Sequence, residues 1–286
     1  MKDLLKLLAC WLAYMAALPV SGVINSALHL HTPISPGSTM PAAQLAGQAI
    51  AAAVLILGLY PIVRSLAARA LLRSIAIGGF FFLIEGINNV LEAHTFSHLL
   101  DGAVPAVVIF YLIEAIAVGA SMGLLFGTGP EPVALPRRTP LAWSSRVAII
   151  WLAWPVIYTA FGMCVAPFVT AFYMSGVVGL TLPPLGLILA LQLLRSVIFL
   201  AASLPLLTLA RGSRLSLWIT LGLAHATTVG LYGLVAASFL PPIMRVLHSA
   251  EITCGSFAYA GLLVLLFTAS RKLAPAQPIP AQLNAH

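Results

Sequence analysis

Six polar residues in one apolar stretch, Glu85, Asn88, Asn89, Glu92, His94 and His98 within GFFFLIEGINNVLEAHTFSH (79–98), are the first candidates for chemistry in this chain. Carboxylates and imidazoles carry protons or hold cations, and side-chain amides orient a solute through hydrogen bonds. Glu85, Asn88, Asn89 and Glu92 follow one another at i, i+3, i+4 and i+7. On an α-helix that spacing is a single face. An ionised group at the centre of a bilayer costs at least ~2.5–3.5 kcal/mol, so the stripe is expected to look into a helix bundle or a wet cavity. Phe80, Phe81, Phe82, Ile87 and Leu91 occupy the other side, suited to lipid or neighbouring helices. The same stripe also fits polar side chains that only tie helices together.

Four further polar residues lie near the middle of apolar runs: Glu114, Arg195, His225 and Glu251. Arg195 is the one permanent cation at that depth, and it is expected to pair with Glu114 or Glu251. Three carboxylates, counting Glu85, against one guanidinium leave an imbalance that a bound proton or cation would settle. Nearer a span end, Glu92, His94, His98 and Asp101 are followed much later by Arg245 and His248. Glu92 and Arg245 are expected to form an ion pair there. His94 with His98, and His248 with Glu251, stand at i,i+4 and i,i+3, so each pair shares a helix face and the set offers ligands for Zn²⁺ or Cu²⁺. Gln192 completes the candidates, as a residue that would orient a ligand beside Asn88 and Asn89.

The elements that must position these groups follow from composition. The chain of 286 residues is 61% hydrophobic and 7% charged, whereas soluble domains carry about 25% charged residues. Its mean hydropathy of +1.05 places it in lipid. Runs of membrane length at 4–27, 42–63, 74–96, 104–126, 147–174, 182–210, 215–240 and 243–270 predict an all-α polytopic membrane protein of eight spans. The first run is broken by Lys6 before Cys10 and continues beyond it, which reads as an uncleaved span and not a signal peptide. Cys10, Cys164 and Cys254 are odd in number and unpaired in spacing, so they predict neither disulfides nor a cysteine metal site.

Twelve of the fourteen Lys and Arg flank the spans on alternate loops, at Lys2, Lys6, Arg64, Arg69, Arg73, Arg137, Arg138, Arg146, Arg211, Arg214, Arg271 and Lys272. The positive-inside rule then puts both termini in the cytoplasm. This distribution explains the net charge of +7 by contact with anionic lipid head groups and excludes a nucleic-acid face. Short loops without glycosylation sequons point to a bacterial inner membrane. The segment 131–146 reads as a cytoplasmic linker and 271–286, rich in Pro, Ala and Gln, as a disordered tail.

The two halves resemble each other. Trp11-Leu-Ala-Tyr14 recurs as Trp151-Leu-Ala-Trp154, Gln48 and Pro61 as Gln192 and Pro205, and Pro105 and Glu114 as Pro242 and Glu251. A duplication into repeats 1–130 and 147–270, each of four spans, is expected to set the halves parallel about an axis along the membrane normal, with a site between them and Glu114 facing Glu251. Motifs for phosphate binding, nucleophilic elbows and haem attachment are missing from the sequence. Three readings remain: proton- or cation-linked transport of a small solute without a cofactor, a membrane-embedded metalloprotein or enzyme at His94, His98, His248 and Glu251, and a scaffold whose polar residues only specify assembly.

Overall fold

A computed structural model describes residues 2–32, 42–127 and 139–268. The expected tail at 271–286 and the portion 131–138 of the expected linker lie outside the described residues. The described chain is all-α, with eight apolar segments long enough to cross a membrane. They are α1 (Lys2–Ala27), α2 (Ala42–Ser65), a third span of α3 (Ala70–Phe81), a π-helical segment (Phe82–Asn89) and α4 (Val90–Phe96), then α5 (Val104–Leu125) and α6 (Pro140–Met174). After them come α7 (Leu185–Leu209), a seventh span of α8 (Arg214–Ala226), a second π-helical segment (Thr227–Leu231) and α9 (Tyr232–Ala236), and finally α10 (Pro242–Phe267).

These boundaries follow the apolar runs within a few residues, with one exception. Helix α6 starts at Pro140, inside the stretch expected to be a linker. Thr139 accepts a hydrogen bond from Ala142 N at 3.2 Å, and Pro140 stands at the first helical position, where its missing N–H costs nothing. A helix start written in capping residues extends the span past its apolar core.

Helix α5 packs between α1 and α3, and α10 between α6 and α8, while α7 joins the two groups. Buried Tyr14, Phe80, Phe81, Phe199 and Tyr259 fill the centre. Leu71, Ile75, Ile116, Val156, Met163 and Phe168 are exposed, as a hydrocarbon solvent allows. Close approach of α3 and α5 depends on glycine. A Cβ on Gly119 would lie 2.5 Å from the Ser74 carbonyl and 2.8 Å from Gly78 Cα, both backbone atoms that cannot step aside. Gly119→Ala is therefore expected to cost about 1–3 kcal/mol by overpacking. Gly79→Ala, where nothing lies within 4 Å, is expected to be neutral or stabilising by up to about 1 kcal/mol. Thermal unfolding of the detergent-purified variants checks the pair; equal losses would show that the α3–α5 seam is not close-packed.

One end of the bundle gathers the basic residues. Asp3 accepts from Tyr60 at 2.7 Å and pairs with Arg64 at 3.4 Å, and Lys6 lies over the Phe126 ring. Arg73 donates to the Gly123 carbonyl, Arg146 to Leu266 and Arg214 to Thr268, so cations cap helix C-termini where carbonyls lack partners, and Arg73 also donates to Ala68 in the connection before α3. Gly127, with φ +110°, turns the chain against the Arg73 side chain.

Two further sets of contacts tie the helices together. Trp11 Nε1 donates to Ala49 O at 2.9 Å, and Trp151 Nε1 donates to Leu193 O at 3.0 Å. At the basic end, Ala67 N donates to Leu209 O and Arg211 N to Ser65 O, both at 2.8 Å, around an antiparallel bridge of Leu66 with Ala210.

Candidate functional site

At the end remote from the basic cluster, a cavity of about 310 Å³ opens between the third, fifth, sixth, seventh and eighth spans. Four ionisable residues other than tyrosine line it: Glu92 from α4, Arg195 from α7, and His248 and Glu251 from α10. Asn89 and Ser97 are further polar members of a lining that is otherwise mainly apolar and aromatic, with Trp154, Tyr158, Phe161 and Tyr173 all supplied by α6.

Arg195 is 2% exposed and makes two hydrogen bonds, from Nη1 to Glu92 at 2.5 Å and from Nε to Asn88 at 2.8 Å. Its guanidinium carbon sits 5.6–5.7 Å from the ring centres of Trp154, Tyr158 and Phe199, an aromatic surround that suits a weakly hydrated planar cation. From Arg195 the polar stripe continues inward. Asn88 Nδ2 donates to Asn89 Oδ1 at 2.7 Å, Asn89 Nδ2 to Thr228 O at 3.2 Å, and Glu85 sits against Asn89. Arg195 thus links Glu92 to Asn88 and Asn89 in one connected network, with Glu85 buried beside it. The π-helical geometry that carries Glu85, Asn88 and Asn89, and the second π segment that offers the Thr228 carbonyl to it, were not legible in the sequence. Segments of this kind recur at functional sites because they re-aim side chains within a helix.

Across the cavity His248 Nδ1 lies 2.7 Å from Glu251 Oε2, and the Tyr173 hydroxyl lies 3.4 Å from His248 Nε2. Glu251 Oε1 makes no hydrogen bond to a described residue, and a Cβ added to Gly162 would stand 3.4 Å from it.

No family model, curated protein or solved structure matches this chain. What the site can do is therefore read from its geometry.

Several expected pairings are replaced. Glu92 pairs with Arg195 and not with Arg245, whose Nε has no hydrogen-bond partner among the described residues. Arg195 accordingly meets neither Glu114 nor Glu251. Glu114 is fully buried on α5, among Tyr14, Tyr111 and Tyr232 and near Glu85, and neither of its oxygens has a hydrogen bond of acceptable geometry to a described residue. It faces that cluster, in which the Tyr14 and Tyr232 hydroxyls bond each other, and not Glu251. His225 is buried beside Phe80, Phe199 and Tyr259, bonded to Ser203 at 2.7 Å, and does not line the cavity. The metal set does not assemble: His94 is exposed, His98 bonds Asp101 at 3.1 Å, and His248 is held by Glu251. Among the described residues no group of three His, Cys, Asp or Glu side chains is placed to hold a metal ion.

Gln192 does not line the cavity either. Its Oε1 accepts from Trp154 Nε1 at 2.9 Å and so fixes the indole against Arg195. Gln192→Leu would leave that indole N–H buried and unpaired, an expected loss of about 1–3 kcal/mol. Gln48→Leu, in α2, is expected to cost less, because Gln48 Oε1 already lacks a partner among the described residues. Unfolding curves for the two variants decide this, together with a red-shifted tryptophan emission expected for Gln192→Leu alone. Sequence reading also passed over Tyr158 and Tyr173. For Tyr158 a signal was available, since a tyrosine deep in an apolar run must hydrogen-bond or face a cavity, whereas Tyr173 stands at the end of its span, where a tyrosine is ordinary.

Proposed function

We propose that this polytopic membrane protein carries a small solute across the bilayer in a proton-linked exchange, with its binding site in the cavity beside Arg195. The observation that carries this reading is the presence, in the lining of one cavity, of two acid–base pairs: Glu92 with Arg195 at 2.5 Å and Glu251 with His248 at 2.7 Å. A permanent ion pair gives fixed polarity, and an imidazole–carboxylate pair can take up or release a proton as its surroundings change. Both reach the cavity from membrane-spanning helices, where ionisable groups are costly and serve ligands or proton movement.

In this reading the cavity lies between two parallel four-helix repeats. Support comes from the paired contacts: the Trp11–Ala49 and Trp151–Leu193 bonds join sequence-equivalent residues, and the exchange between 65–67 and 209–211 is what a two-fold axis at Leu66 and Ala210 would generate. Both π segments also fall in the third span of their half. The basic end would face the cytoplasm of a bacterial cell and its anionic head groups, with both termini there and the cavity opening to the outside.

Reconstitution into liposomes with an imposed pH gradient tests this. A panel of small amines, carboxylates and neutral compounds should contain a class that collapses the gradient faster with protein than without it. If every class runs at the protein-free rate, the transport reading is wrong.

A further inference from the structure

The charges lining the cavity select the class of solute. Arg195 is already matched: Glu92 and Asn88 take two of its donors, and three aromatic rings surround its guanidinium. Glu251 is not matched by a permanent cation. Its Oε2 faces His248, which is charged only when protonated, and its Oε1 makes no hydrogen bond to a described residue. Gly162 keeps side-chain bulk away from that oxygen. Phe161 and Tyr173 add aromatic surface to the same cavity, and the remaining lining from α8 to α10, such as Val229, Leu234 and Ile252, is apolar.

From this we infer that the cavity binds an organic cation, an amine or quaternary ammonium on an apolar body, with its charge at Glu251 Oε1 and its body against Phe161 and Tyr173. The inference rests on the proposed transport reading and names its substrate class. Aromatic faces beside a carboxylate are a favourable setting for ammonium groups. A carboxylate solute would meet Glu251 and Glu92 with no unmatched permanent cation to receive it.

Proton linkage follows from the same contact. With a proton on the His248–Glu251 pair the carboxylate is neutralised, and an arriving cation must displace that proton. The other titratable or charged groups facing the pair are Glu92 from α4, Arg195 from α7, and Tyr158 and Tyr173 from α6; the lining of the seventh span has none. Because cation and proton compete for the same pair, binding of either one expels the other, by the reciprocity of linked binding.

The test is calorimetric titration of the detergent-purified full chain with benzyltrimethylammonium, in two buffers of different ionisation enthalpy, beside phenylacetate and uncharged neopentylbenzene. The expected result is binding of the ammonium compound, release of one proton, and at least tenfold weaker binding to Glu251→Gln. Gly162→Val, which retains both charges and crowds Oε1, should weaken binding similarly and serves if Glu251→Gln does not fold. Absence of ammonium binding, equal binding of phenylacetate or neopentylbenzene, or unchanged affinity in both variants would overturn the inference. Failure of this inference and of transport are separable. Ammonium binding without flux in liposomes removes transport and leaves the solute class, whereas flux driven by a carboxylate removes the class and leaves transport.

Discussion

Arg195→Ala is expected to destabilise the protein more than any other single change at the cavity. The guanidinium is 2% exposed, and its removal leaves Glu92 facing a low-dielectric wall without a counter-charge and Asn88 Oδ1 without its donor. Breaking a buried pair from one side costs about 3–5 kcal/mol, and partial exposure of the Glu92 side chain, 31%, sets the expectation near the lower figure. In a chain of this size about 3 kcal/mol lowers Tm by roughly 6–12 °C. The double variant Arg195→Met, Glu92→Gln removes both charges together and should recover most of that loss, since buried pairs add little over apolar replacements. It should keep the Glu251 carboxylate that receives the solute cation, since neither replaced residue holds the solute's charge. A double variant as unstable as Arg195→Ala would mean that packing around Trp154 and Phe199, and not the unpaired carboxylate, accounts for the cost.

Glu251→Gln is expected to do the opposite: preserve the fold and abolish proton-linked flux. The substitution keeps size and a hydrogen bond to His248 while removing the carboxylate's charge. Its side chain is only 11% exposed yet faces a cavity, so loss of one ion pair with a neutral-capable imidazole disturbs packing little. Solute-dependent collapse of a pH gradient should fall to the protein-free rate, a loss of at least a hundredfold if chemistry at this carboxylate is obligatory. His248→Gln is expected to keep solute binding, because the carboxylate that receives the cation stays, and to reduce the proton release that accompanies it. Flux in Glu251→Gln above a tenth of the wild-type rate would place the coupling group elsewhere, with Glu114 the next residue to replace.

The eight spans were legible because membrane-length apolar runs are written directly in composition, and helices in lipid have no alternative way to satisfy their backbones. Thr139 and Pro140 show the limit: capping residues start α6 outside its apolar run. The polar stripe was legible in part: spacing marked Glu85, Asn88, Asn89 and Glu92 as groups to be kept from lipid, and all four are buried or half-buried. Its partners were not. Counting residues from span ends assumes straight, regular helices, and the third span contains a π-helical segment over the residues concerned. Glu92, assigned by counting to the outer interface with Arg245, instead meets Arg195, ten residues inside α7. Likewise a sequence gives depth but not azimuth, so Glu114 and Glu251, alike in position along their spans, turned out to face a closed tyrosine cluster and an open cavity.

A solute cation and a proton are expected to exchange at the Glu251–His248 pair. The most direct test of that exchange is the internal pH of proteoliposomes carrying a pH-sensitive dye when benzyltrimethylammonium is added outside. Entry of the cation against exit of a proton predicts alkalinisation of the interior by wild-type protein and none by Glu251→Gln. An interior pH that does not move with wild-type protein, or moves equally with Glu251→Gln, would contradict the account.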